Sequence, residues 1–145
     1  MATFQQAQKR ARRLTAQQMR DDFFKFLKSQ GAFMVEMNQT NILIDSEDIF
    51  GNDLGFYSKG TDAITGGRKK EGDPFDLFET GEFLDGFFAE FANNEITFDT
   101  TDSKKEKVLE NTLSDKIFGL QDENLKRLID EKLRPYLIFY LNSIL

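Results

Sequence analysis

The 145-residue chain contains no cysteine, no histidine and no tryptophan, and only two prolines. Without cysteine there is no disulfide, no thiolate nucleophile and no thiolate metal site. Without histidine the chain lacks the usual general base near neutral pH and the commonest transition-metal ligand. Catalysis would fall to carboxylates, lysine and tyrosine alone, so the expectation is a protein that is not an enzyme, with no catalytic, metal or cofactor-binding residues. No apolar run reaches the roughly 18 residues that a membrane span needs. Polar glutamines and arginines stand near Met1 where a secretory signal would have its apolar stretch. Synthesis in the cytoplasm and no membrane contact are expected.

Phenylalanine is abundant, with 16 copies against 3 tyrosines. That supplies apolar area with few polar handles, and such area must be covered within the fold or between subunits. The length suits one domain, residues 1–145, with one core. Charge is distributed unevenly. Residues 1–28 carry Lys9, Arg10, Arg12, Arg13, Arg20, Lys25 and Lys28 against Asp21 and Asp22, a balance of +5, so the rest of a chain of net charge −6 carries −11. A basic arm beside an acidic body can bind nucleic acid or pair with the body of a neighbouring copy.

Residues 2–30 lack glycine and proline and favour helix, which predicts one long N-terminal helix stopped at Gly31. Its basic half precedes Thr15, and its strong apolar stripe is Phe23, Phe26 and Leu27. Residues 32–44 read as two short strands, or as a strand and an extended turn. Residues 45–74 are rich in glycine, threonine, serine, asparagine and aspartate, which is loop chemistry. A loop of that length inside a compact domain points to docking. A dense phenylalanine cluster follows, in which Phe87, Ala89 and Phe91 alternate with Phe88 and Glu90 as the start of a strand, while residues 79–88 also read as a helical turn entering it. Asn93 and Asn94 then make a turn into Ile96 and Phe98, predicting a hairpin. Residues 102–113 suit a short helix, and Ile117, Phe118 and Leu120 an apolar anchor. A last helix capped by Asp122 is broken near Pro135, beyond which residues 136–141 are almost wholly apolar. The fold class is α+β: a basic helical arm over residues 1–30 and a body over 31–145 with a small antiparallel sheet.

Several chemical motifs fail on inspection. Counted as an EF-hand from Asp45, the acidic loop with Glu47, Asp48 and Asp53 places Ile49 and Phe50 where a ligand and a glycine are needed. Asp99 and Asp102 have no nucleophile beside them. Gly66, Gly67, Arg68, Lys69 and Lys70 lack the ending that opens a phosphate-binding helix. The arm from Lys9 to Arg13 has charge for phosphates but no interleaved aromatic for stacking, leaving nonspecific DNA contact as its nucleic-acid reading. Ten residues stand out as interface candidates: Lys9, Arg10, Arg12 and Arg13 in the arm; Leu54, Phe56 and Tyr57 in the loop; Tyr136, Phe139 and Tyr140 in the apolar tail.

Four stretches carry a family resemblance. They are Leu54-Gly55-Phe56-Tyr57-Ser58 with Gly60-Thr61; Glu79-Thr80-Gly81-Glu82-Phe83 leading into Phe87-Phe88; Asp99-Thr100-Thr101-Asp102-Ser103-Lys104; and Ile117-Phe118-Gly119-Leu120 with Asp122-Glu123-Asn124-Leu125. Together, over residues 50–130, the chain resembles small virion proteins of tailed bacteriophages and prophages of Bacteroidota, and more distantly tail-completion proteins. The resemblance implies a structural subunit of the virion, in a ring of identical copies at the head-to-tail connector or neck, contacting portal, neck or tail proteins after assembly in the host cytoplasm. A DNA-binding accessory protein using the basic arm is the rival reading.

Overall fold

A computed structural model describes residues 3–12, 15–77, 81–106, 109 and 115–144. The helical N-terminal segment is divided. α1 spans Phe4–Arg12 and α2 spans Ala16–Ser29. Each starts on a threonine: Thr3 Oγ1 accepts from the Gln6 N–H at 3.3 Å while Gln6 Oε1 accepts from the Thr3 N–H, and Thr15 Oγ1 accepts from the Gln18 N–H at 3.1 Å. A threonine hydroxyl satisfies a first-turn N–H that the helix itself cannot, so it opens a helix better than it continues one.

α2 does end just before Gly31, with Gln30 as its C-cap, but Gly31 itself begins α3, Gly31–Thr40, which runs into a wide turn at Asn41–Asp45. The strands expected over residues 32–44 are therefore helical. The alternation of Phe33, Val35 and Met37 is real, but Met34, Met37 and Asn38 also recur at helical spacing, and it is these three that the body buries. Ser46, in the left-handed conformation, ends the wide turn.

The 45–74 segment contains a short helix, α4, Lys59–Ile64, opened by Ser58, whose Oγ accepts from the Thr61 N–H. After α5, Glu82–Asp85, the chain enters the two-stranded sheet, β1 Phe87–Ala92 and β2 Glu95–Thr100. Both readings of the phenylalanine cluster hold in turn, helix first and strand second. The hairpin is antiparallel with Phe91 opposite Ile96, and Asn93 and Asn94 both lie at positive φ, as a two-residue turn matching strand twist requires. Gly86 is confined for another reason: a Cβ there would lie 2.7 Å from Thr100 Oγ1 and 3.2 Å from the Asp102 backbone nitrogen.

A 3₁₀ turn at Asp115–Ile117 precedes α6, Asp122–Leu128. Gln121, not Asp122, holds the N-cap position, and Asp122 and Glu123 are the acidic residues of the first turn. A π turn at Ile129–Leu133 then leads into α7, Arg134–Ile144. The break near Pro135 takes the form of this widened turn: the Arg134 N–H reaches back to Ile129, and Pro135, with no N–H to donate, sits just beyond it. The short helix expected over residues 102–113 falls largely outside the described residues.

The core has two adjoining parts. Ile42, Leu54, Phe83, Leu84, Phe87 and Ile117 form one, with Val35 and Phe118 against it; Met34, Met37 and Leu128 form the other, with Phe91, Ile96 and Phe98 against it. α3 contributes to both, so it is the spine of the body. Met34, Ile42 and Ile117 are fully buried, each contributing about 1.5–3 kcal/mol by transfer from water.

Asparagine and glutamine amides fasten together segments that lie far apart in the sequence. Buried Asn38 donates from Nδ2 to the Ile117 carbonyl at 2.7 Å, and its Oδ1 accepts from the Gly119 N–H at 3.2 Å. Gln39 donates to the Leu84 carbonyl at 2.6 Å, and Asn124 donates to the Asn41 amide oxygen. Gln121 donates to Glu47 and to the Asp48 carbonyl, both at 2.9 Å. Inside a protein such bonds hold loops in place because leaving the same groups unpaired is costly.

Candidate docking surface

α7 is apolar on almost every side, so packing one face against a single neighbour leaves another uncovered. Tyr136 and Tyr140, four residues apart, face α2. Tyr136 stacks on Phe26 with ring centroids 4.0 Å apart and planes 6° from parallel. The Tyr140 hydroxyl donates to the Asp22 carboxylate at 2.7 Å. That hydrogen bond, with desolvation and the nearby negative charge, pushes the Tyr140 phenol from 10.0 up to about 12. Desolvation and the Asp22 charge raise Tyr136 as well. Away from this seam stand Leu137, Ile138, Phe139 and Leu141, with Ile138 57% and Phe139 74% exposed. The tail thus separates into two tyrosines that hold it to the body and an aliphatic and phenylalanine set that stays largely exposed.

The basic arm lies at the same end, since α1 runs against α7. No residue of α1 is buried, and Phe4 is 82% exposed. Lys9, Arg10 and Arg12 are exposed and form no ion pair among the described residues; Arg13 lies outside them. Side by side, α1 offers charge and α7 offers apolar area.

The loop candidates part company. Leu54 is a core residue at 2% exposure, with its N–H on the Ser46 carbonyl, so it is not available for docking. Leucine beside glycine carries no mark in sequence of which side it faces. Tyr57 is half-buried in a latch: its hydroxyl donates to Asp76 at 2.8 Å, Lys69 meets the same carboxylate at 2.6 Å, and the Lys69 ammonium lies 5.3 Å from the tyrosine ring centre. Burial first, and the bond to Asp76 second, push the Tyr57 phenol up to about 12.

The backbone zips the loop further, Tyr57 N–H to the Asp73 carbonyl, Gly72 N–H to that of Tyr57 and Phe75 N–H to that of Gly55. Phe56 remains outside at 58% exposure, opposite Pro74. Phe50 and Ile64 are more exposed still, at 69% and 87%, and were not singled out in the sequence. Their signal was there: each is a large apolar residue in a loop that is otherwise mostly polar.

The acidic groups have local duties. Asp48 Oδ1 accepts from the Phe50 and Asn52 N–H groups, closing its own turn. Asp99 pairs with Lys105 at 2.8 Å; burial would raise its carboxyl, but the Lys105 hydrogen bond, the Thr100 N–H and the Lys105 charge outweigh it and hold the carboxyl low. Asp102 accepts from the Lys104 N–H. Arg68 and Lys69 bond back to Thr65 and Asp76 within the loop that resembled a phosphate site. Among the described residues no three acidic, histidine or cysteine side chains gather as a metal site, and no helix is long and apolar enough to cross a membrane.

No protein family, curated protein or solved structure matches the chain.

Proposed function

We propose that this protein is a structural subunit of a tailed-bacteriophage virion, present as a ring of identical copies at the head-to-tail connector or neck and bound there to portal, neck or tail proteins. The observation that carries the reading is the uncovered face of α7, Leu137, Ile138, Phe139 and Leu141, set beside the exposed basic helix α1. A ring needs one surface to meet a different surface on the next copy. The +5 segment at the N-terminus and the −11 remainder make such a pair, and an apolar face gives the contact area to bury.

Electron microscopy of the purified chain, alone and with a tailed-phage portal protein, tests the assignment: rings support it, and a persistent monomer in both samples counts heavily against it. Reversing the charges of Arg10, Arg12 and Arg13 is expected to abolish rings while leaving a folded monomer. The exposed arm also suits a DNA-binding accessory protein contacting phosphates. That reading predicts salt-sensitive DNA retention that vanishes when residues 1–20 are removed.

A further inference from the structure

Among the described residues the sheet has two strands, so each strand has one edge that no described strand pairs. Which backbone groups those edges present follows from the register. The two-residue turn makes Ala92 and Glu95 a hydrogen-bonded pair, and alternation does the same for Glu90 with Thr97 and Phe88 with Asp99. The Thr101 N–H on the Gly86 carbonyl at 3.0 Å continues that alternation by one more step. Phe87, Ala89 and Phe91 therefore direct their backbone N–H and carbonyl groups to the free edge of β1, and Ile96, Phe98 and Thr100 direct theirs to the free edge of β2. Ala89, Phe91, Ile96 and Phe98 form no other backbone hydrogen bond among the described residues.

Each edge opens into a groove. Along β1 a groove of about 880 Å³ is lined by five consecutive strand residues, Phe87 to Phe91, and across from them by Gly31, Ala32 and Val35 of α3. Consecutive strand residues point to opposite faces, so a groove touching all five runs along the strand's edge. Along β2 a groove of about 620 Å³ is lined by Ile96, Thr97, Phe98 and Asp99, facing Leu109 and Phe118. Free edges are usually guarded by lysine, proline or a bulge. β1, Phe-Phe-Ala-Glu-Phe-Ala, has one charge, no proline and an unbroken register.

We infer that the free edge of β1 pairs with the free edge of β2 of a second copy, so that neighbouring subunits share one continuous antiparallel sheet. This deepens the ring assignment above and rests on it. The two edges differ, which is what a head-to-tail contact requires. Rotation about a ring axis preserves each strand's sense along that axis, so β1 of one copy meets β2 of the next antiparallel, as it meets its own. Each groove wall carries charge of both signs, Lys28 and Glu90 along β1 and Glu106 beside the Asp99–Lys105 pair along β2, so neither edge is closed to a partner strand by a run of one sign.

Two measurements on the full chain test it. Ala89→Pro removes an N–H from the free edge of β1 and none from the β1–β2 ladder. Rings are expected to disappear from micrographs and native mass spectra, with circular dichroism still that of the parent. Because the chain has no cysteine, Glu90→Cys chains can be mixed with Thr97→Cys or Glu95→Cys chains, covering two registers. Mild oxidation is expected to yield far more covalent dimer in at least one mixture than in either chain alone, and this arm decides the matter if the proline variant does not fold. Rings that persist in a folded Ala89→Pro variant, or mixtures that crosslink no better than single chains, overturn the shared sheet and leave the ring assignment standing. A parent chain that never oligomerises overturns both.

Discussion

Around the hairpin, Phe83 and Phe87 meet edge to face with centroids 5.3 Å apart, Phe118 closes over Phe87, and Ile42 and Ile117 are sealed beneath. On α7 the same residue types stand in water, Phe139 at 74% exposure and Ile138 at 57%. The body is fastened across long stretches of sequence by Asn38, Gln39 and Gln121, whereas α7 meets α2 through one stacked ring pair and one phenol–carboxylate bond. The contrast separates apolar residues that complete the monomer from apolar residues that the monomer leaves unfinished. It also gives the two regions opposite responses to substitution.

The largest loss of stability belongs to the body. Met34→Ala empties a fully buried site and is expected to cost about 2–5 kcal/mol, read as a lower urea midpoint at unchanged slope. Asn38→Ala is expected to follow at about 2–3 kcal/mol, because it strands the Ile117 carbonyl and the Gly119 N–H. A loss below about 0.5 kcal/mol would mean that water replaces the amide and that the spine is not pinned by it.

The seam should respond next, and at alkaline pH. Tyr140 titrates at about 12 instead of 10.0, so the folded state favours the neutral phenol. The stabilisation is complete below pH 10 and is lost as pH rises through about 12. Tyrosinate absorbance should therefore rise late, with Tyr57 also near 12, and Tyr140→Phe should delete one late-titrating phenol. The smallest effect on stability belongs to Phe139→Ser, expected within about 0.5 kcal/mol of the parent. If that variant unfolds the chain, α7 is not an open surface and the comparison collapses. If it stays folded but no longer assembles, the comparison is sharpened.

Much of this architecture could be read from residues alone. The hairpin was legible because Asn93 and Asn94 tolerate positive φ and sit between alternating segments, and the disturbance near Pro135 because proline cannot donate a helical bond. Residues 32–44 were misread because one string satisfied both periods, and only the partner surface decides between them. That surface includes Ile117 and Gly119, whose link to Asn38 no local pattern reveals. Residue type marked the apolar tail as a unit but not its division into Tyr136 and Tyr140 within and Ile138 and Phe139 without. The loop was harder, since Leu54 and Phe56 are two residues apart and lie on opposite sides of the surface.

The bond between Asn38 and Ile117 joins residues 79 positions apart. A ribosome releases the chain from its N-terminus, so α3 emerges long before the segment that completes its surroundings. Until Ile117 arrives, Ile42, Leu54 and Phe87 lack a shared neighbour, and the nascent chain holds exposed phenylalanine over that interval. Folding of the body is thus expected to wait on the emergence of Ile117, with dependence on chaperones concentrated before that point.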